Sequence, residues 1–252
     1  MSVVFILCAG RGKRLESLTD NISKVMLPVS GRPLLEWTII HCKRLGFTQI
    51  VLNLHFNGEQ IKEHFSDGKK WGVKICYLEE DHLLGTAGAI HNAKSFLEGE
   101  ENFLVLYGDV ITNYDYRSLL IFHKKHSFAV ATIVVHERRN SNSIIEVDRN
   151  NLVTRFVERP LLEEIEKRVP PYWVNSGIYC FSNKIFEYIP SKYPSDLPRD
   201  VFGKLVDEGT LYAIPIEGYR CAVDSPERYQ EVQFAYKNKI ISINDQLLRN
   251  MM

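Results

Sequence analysis

The sequence predicts an α/β fold: a single Rossmann-like domain with a mostly parallel central sheet, helices on both faces, and an antiparallel elaboration in the second half. Three observations predict it. Strand and helix signals alternate through the first half of the chain. The first strand signal runs straight into a Gly-rich turn that carries cations. The second half then replaces the alternation with strand signals that have few helices between them. Alternation implies parallel strands joined by right-handed crossovers, and continuous apolar runs imply strands buried on both faces.

The elements follow in order. Residues 3–8 form a continuous apolar run and read as a buried first strand, followed by a long loop to about Val29. Residues 34–45 read as a helix, with Leu34, Leu35, Thr38, Ile39 and Cys42 on one face. Residues 49–54 are a second strand, 59–65 a short helix, 73–78 a third strand, 86–96 a helix, and 102–107 a fourth strand ending at Gly108-Asp109. In the second half, 128–135, 143–147, 152–157 and 174–181 read as strands. A polar insertion at 161–168, ending at Pro170-Pro171, reads as a solvated flap. Residues 198–208 read as a helix, 211–216 as a strand and 226–238 as a closing helix. No repeat or linker divides the chain, so residues 1–240 read as one domain and 241–252 as a C-terminal tail.

Composition narrows the function classes. The chain has 252 residues, 31 Lys+Arg and 31 Asp+Glu, a formal net charge of zero. That balance disfavours a general nucleic-acid binder, while leaving room for a local basic patch that holds phosphates. The five cysteines are odd in number and contain no CxxC pair, which disfavours a disulfide framework or a zinc knuckle and suits a reducing cytoplasm. The apolar start is too short for a membrane span and lacks a basic stretch before it, as a signal peptide would have.

The strongest local feature is Leu7-Cys8-Ala9-Gly10-Arg11-Gly12-Lys13-Arg14-Leu15, with Leu18-Thr19 and Lys24 beyond it. A strand entering a Gly-rich turn exposes backbone N–H groups that cradle polyphosphate. Lys13, Arg14 and Lys24 add the cations. The run is neither a dinucleotide fingerprint, because Leu15 stands where a third Gly is needed, nor a P-loop, because Arg14 follows Gly12-Lys13 where Ser or Thr is needed.

Taken from Leu7 through Leu27-Pro28-Val29 to Glu36, the run resembles the N-terminus of the sugar-1-phosphate nucleotidyltransferases. Later segments resemble that family in the right order: Gly85-Thr86-Ala87-Gly88, Tyr107-Gly108-Asp109, Phe156 to Pro160, Val174 to Tyr179, and Ala222 to Tyr229. The resemblance makes residues 1–240 the nucleotidyltransferase domain. It implies condensation of a nucleoside triphosphate with a sugar-1-phosphate to give a nucleotide-sugar and pyrophosphate. It implies Arg14 and Lys24 as catalytic cations. It assigns nucleotide binding to Leu7, Ala9, Gly10, Gly12, Lys13, Gly85, Thr86 and Gly88, sugar-phosphate binding to Glu158, Arg159 and Asn175, and Mg²⁺ to Asp109 and Asp224. Glu79 and Glu80, after the third strand, could accept the N–H groups of guanine, which favours GTP, as does a lean toward the mannose- and heptose-1-phosphate guanylyltransferases. UTP, dTTP or CTP, and a phosphorylated acceptor other than a sugar, are the alternatives within the same reaction. Expected partners are the two substrates, with no nucleic acid and no membrane; a homo-oligomer is allowed.

Four departures from the family pattern stand out. Ser23 replaces the Pro before Lys24, Arg159 replaces a Lys, Ser143 stands where many relatives have Gly, and an ungapped match puts Ala222, not Asp224, at the terminal Asp. A non-catalytic, sugar-nucleotide-binding subunit would be expected to lack Arg14, Lys24 or Asp109; all are present. A glycosyltransferase would be expected to show Asp-x-Asp, and Gly108-Asp109-Val110 has one Asp.

Overall fold

The computed structural model describes residues 2–138, 143–161, 163 and 172–241. Most of the expected flap at 161–168 and most of the expected tail lie outside the described residues. In chain order the described elements are β1 (Val4–Leu7), β2 (Pro28–Val29), β3 (Arg32–Pro33), α1 (Leu34–Arg44), β4 (Gln49–Leu54), α2 (Gly58–Phe65), β5 (Lys74–Glu79), α3 (Gly85–Asn92), α4 (Lys94–Leu97), β6 (Asn102–Tyr107), β7 (Val110–Thr112) and α5 (Tyr116–Lys125). They continue as β8 (Ala131–Arg138), β9 (Ser143–Val147), β10 (Val153–Glu158), β11 (Tyr172–Ser182), α6 (Phe202–Asp207), β12 (Leu211–Pro215), β13 (Arg220–Ala222) and α7 (Pro226–Lys237). The α/β class expected from the sequence holds.

Contacts group the chain into two compact units: Met1–Leu83 with Leu106–Tyr116 and Glu217–Met252, and Leu84–Val105 with Arg117–Ile216. In the first unit β1 pairs parallel with β4, and β4 parallel with β5, in unbroken register from Val4↔Ile50 and Gln49↔Lys74. The strands are apolar because both faces are covered: Val4, Phe5, Ile6 and Leu52 have no exposed surface. α1 buries the expected Leu34, Leu35, Thr38, Ile39 and Cys42, but also Glu36, Trp37, Ile40 and His41, so its cover extends beyond the one face that the 3.6-residue spacing predicted.

The second unit is mostly antiparallel. β11 pairs with β8 and β9, and β10 with β9, while β12 runs parallel to β8. Its core gathers Tyr179, Phe181 and Phe202, with ring centroids 5.6 Å apart in both Tyr179–Phe181 and Tyr179–Phe202.

Some boundaries differ from expectation. The helix expected at 86–96 is two helices, broken at Ala93. The helix expected at 198–208 begins with a π-helical turn, Leu197–Val201, and only then becomes α6. α5, β2, β3 and β7 carried no sequence expectation. β7 is three residues long, too short for a period-2 pattern to register. Among the described residues no helix is long and apolar enough to cross a membrane, and all five cysteines are free.

Candidate active site

In the first unit, β1 delivers the chain to the loop. Gly10 is exposed, and a Cβ there would touch nothing within 4 Å. Gly12 is different: its φ is +72°, and a Cβ would press on the Lys24 stem at 3.1 Å. Only Gly takes that backbone conformation cheaply. The Gly12 carbonyl accepts from Leu15 N–H at 2.9 Å and from the Thr19 hydroxyl at 3.2 Å. These bonds start a 3₁₀ helix, Lys13–Thr19, anchored by fully buried Leu15. Lys13 and Arg14 are left pointing at solvent, and the Arg11 guanidinium lies 4.9 Å from the Phe56 ring centroid.

Two ion pairs join the cations to the acids. Arg14 meets Asp224 at 3.2 Å, and Lys24 Nζ donates to the Asp109 carboxylate. Their settings are unlike. The Arg14 side chain is 73% exposed, whereas that of Lys24 is 11% exposed. Lys24 is therefore not the free surface cation that a loop position suggests, because Gly12 and the Lys24–Met26 3₁₀ turn fold it inward. Ser23, in the place of Pro, donates its N–H to Gln60 at 3.1 Å, a bond Pro could not make.

The two aspartates arrive through β7 and β13. β6 ends at Tyr107, and Gly108 N–H donates to the Leu7 carbonyl at 3.0 Å, so Asp109 emerges beside the mouth of the loop. β13 pairs antiparallel with β7, Ala222 opposite Val110, and Val223 N–H donates to the Asp109 carbonyl at 2.8 Å. Ala222 is thus a ladder residue. Asp224 lies just past the ladder, before Ser225, whose side chain caps α7 by accepting from Arg228 N–H at 3.3 Å. The two-residue offset leaves Asp224 within reach of Arg14.

Sequence reasoning missed Arg220. It is the first residue of β13, and burial depresses its pKa against the pull of Asp109 and of Asp224. A three-residue strand offered no signal for it. Burial first, and the Asp109 charge second, drive the Cys8 thiol far above its ordinary range, so it is an inert packing group. Among the described residues no three His, Cys, Asp or Glu side chains cluster as a metal site. Two carboxylates on adjoining strand ends are nonetheless the donor set that suits Mg²⁺, which takes one or two protein carboxylates and completes its shell with phosphate and water.

Glu79 and Glu80 diverge. Glu79 is exposed and paired with Lys62. Glu80 is 6% exposed and accepts from Asn53 Nδ2 at 2.7 Å.

The second unit holds the remaining expected residues. α3 starts at Gly85, with φ +76°, where a Cβ would collide with the Ser195 backbone. Its first amides are already used: Ala87 and Gly88 N–H donate to the Ser195 carbonyl at 2.9 and 3.2 Å, and Thr86 N–H to Asp196 at 3.1 Å. The Thr86 hydroxyl accepts from Leu197 N–H at 2.8 Å. Glu158 ends β10 opposite Ser143. Burial raises its pKa, Arg159 opposes that shift and Asp196 adds to it. Arg159 is exposed, with φ +54°. Asn175 sits where the β11–β8 register shifts; its Nδ2 donates to Tyr179 Oη at 2.6 Å, and its Oδ1 accepts from Gly177 N–H at 3.0 Å.

The sequence profile described as nucleotidyl transferase matches residues 3–231. A UTP–glucose-1-phosphate uridylyltransferase of Synechocystis sp. is 32% identical over 227 residues, covering 84% of this chain and 57% of that protein. A mannose-1-phosphate guanyltransferase of Saccharomyces cerevisiae is 31% identical over 240 residues, covering 93% of this chain and 64% of that protein. The chain therefore spans little more than half the length of the first of these. HddC from Yersinia pseudotuberculosis, solved complexed with GMP-PN, superposes with a TM-score of 0.77 at 26% identity, covering 94% of this chain and all of that one. The profile match over most of the length, the relatives above 30% identity and the motif order together mean that this chain belongs to the nucleotidyl transferase family.

Proposed function

We propose that the chain, over residues 1–240, is an active sugar-1-phosphate nucleotidyltransferase that prefers GTP. The observation that carries this reading is the pairing of Arg14 with Asp224 and of Lys24 with Asp109 at the mouth of the Gly10–Gly12 turn. Sequence-distant cations and acids meet where polyphosphate would lie.

An acceptor phosphate oxygen attacks the α-phosphorus. A P–O bond forms there as the α–β bridging P–O bond breaks, and pyrophosphate leaves with the electron pair. The attacking phosphate is already anionic, so no base is required, and catalysis rests on positioning and charge stabilisation. Backbone N–H groups of Ala9 to Gly12, with Lys13, seat the triphosphate; Arg14 and Lys24 offset the charge that builds on the leaving group. Asp109 and Asp224 would hold Mg²⁺, which when bound neutralises phosphate charge and polarises the phosphoryl group. In the second unit, Gly85, Thr86 and Gly88 are read as nucleotide-binding residues, and Glu158, Arg159 and Asn175 as sugar-phosphate-binding ones. The names of the yeast relative and of the HddC complex support guanine as the base; the Synechocystis relative makes UTP the rival. Five free cysteines accord with a reducing, cytoplasmic setting.

The test is pyrophosphate release with each common triphosphate against a set of sugar-1-phosphates. Turnover that needs Mg²⁺, a triphosphate and a sugar-1-phosphate together is expected. Tight nucleotide binding without turnover on any pair would instead identify a non-catalytic subunit.

A further inference from the structure

The carboxyl ends of β1, β4 and β5 are tied by a buried hydrogen-bond chain that the proposed chemistry does not use. Cys8 N–H donates to Asn53 Oδ1 at 2.7 Å, and Asn53 Nδ2 donates to Glu80 Oε1 at 2.7 Å. Glu80 is then held through its own backbone: its N–H donates to the Leu54 carbonyl at 2.8 Å, and its carbonyl lies 2.8 Å from His55 Nδ1. Asn53 is 3% exposed and Glu80 6%.

The chemistry of the partners fixes the amide. A backbone N–H can only donate, so it takes Oδ1, which leaves the Asn53 NH₂ to donate to the Glu80 carboxyl oxygen. The position of Asn53 gives this a consequence. The β1–β4 ladder ends at Leu7↔Asn53. The next amide, Cys8 N–H, finds a side chain rather than a backbone carbonyl of β4. That side chain ends the sheet and sets where the chain departs into Ala9 and Gly10. A buried amide is costly unless its groups are bonded; Cys8 and Glu80 satisfy the two ends of the Asn53 amide.

We infer that Asn53 is a positioning residue for the phosphate loop and that the Glu80 carboxylate acts by orienting the Asn53 amide. The inference rests on the loop's part in the proposed nucleotidyl transfer. It also makes Glu80 a structural partner of the loop, whatever it does for the base.

A donor–acceptor swap tests it. Asn53→Asp sets two carboxylates against each other and removes the donor to Glu80. Asn53→Asp with Glu80→Gln returns both bonds, because the amide that Glu80→Gln introduces can donate to the new carboxylate while Cys8 N–H keeps an acceptor. The pair again carries one negative charge. Hydrogen exchange of residues 8–12 should accelerate about tenfold in Asn53→Asp, the scale of one lost net hydrogen bond. It should return toward wild type in the double variant. In turnover, Asn53→Asp should raise KM for the triphosphate about tenfold and leave KM for the sugar-1-phosphate unchanged. Exchange at residues 8–12 equal to wild type in Asn53→Asp overturns the inference. So does a double variant no better than the single, or equal rises in both KM values, which would mark a general loss of structure. The exchange arms need no activity. A wild type inert with every substrate pair would sink the proposed function and leave this test standing.

Discussion

At the scale of single residues, burial separates two cations that look alike in the sequence. Arg14 is mostly exposed, so Arg14→Ala should leave the fold intact and depress kcat roughly 10²–10³-fold, the cost of one charge-stabilising contact. An unchanged rate would show Arg14 to be a surface charge. Lys24 is enclosed with Asp109. Lys24→Ala should therefore cost stability as well as rate, about 1–3 kcal/mol, the scale for leaving the half-buried Asp109 carboxylate without its partner. Adding Asp109→Asn removes that stranded charge and should recover part of the stability without recovering the rate. Denaturant midpoints of the two variants check this; no recovery in the double variant counts against the pairing. Arg159 is the third case. It is exposed, at positive φ, where the family has Lys. Arg159→Lys should keep substantial activity and Arg159→Ala lose most of it; an alanine variant with wild-type kinetics would remove Arg159 from the acceptor site.

At the scale of elements, short connections decide the geometry. β7 and β13 are three residues each, yet their ladder sets Asp224 beside the end of β6. Asp224→Asn should weaken the Mg²⁺ dependence of turnover as Asp109→Asn does, while Ala222→Asp should not create a second ligand, because Ala222 is held in the ladder. Mg²⁺ titrations of the three variants distinguish these outcomes, and a wild-type curve for Asp224→Asn would exclude it as a ligand. Gly85 opens α3 at positive φ against the Ser195 backbone. Gly85→Ala combines that clash with the ~1–2 kcal/mol cost of a left-handed residue. Its Tm should fall well below that of Gly10→Ala, where the space is open. Equal melting temperatures would contradict the packing described for Gly85.

At the scale of the whole molecule, acid stability should follow two buried histidines, one in each unit. Burial lowers His41 to about 4, and coulombic repulsion from Arg44 adds to this against the hydrogen bond to the Tyr114 carbonyl. Burial also lowers His123 to about 4, with His126 and Lys124 adding to it. Between the ordinary histidine value near 6.5 and about 4, the unfolded chain binds more protons than the folded one. The stabilisation is complete above about 6.5 and is lost as pH falls through 4, by up to about 1.4 kcal/mol per pH unit for each group. Denaturant midpoints between pH 7 and 4.5 should show this fall. His123→Gln should reduce its slope, and an unaltered slope would place the acid sensitivity elsewhere.

The sequence alone determined the α/β class, the order of most of the long elements and the Gly-rich, cation-bearing turn after the first strand. Each of these is written in local signals: continuous apolar runs for buried strands, a 3.6-residue stripe for α1, and a Gly-rich turn beside cations. It also named the four charged side chains that the structure pairs. Only the tertiary structure decided which acid each cation meets, that Lys24 is buried, that Asp224 sits past a ladder that absorbs Ala222, and that a half-buried Arg220 feels the charge of both acids. It alone separated Glu79, exposed and paired with Lys62, from Glu80, buried against Asn53. The physical reason is the range of the contacts. Lys24 and Asp109 are 85 positions apart, and Asn53 lies 45 from Cys8 and 27 from Glu80. Local periodicity reports which side of an element is apolar; burial and pairing at such separations depend on how several strands end together in space.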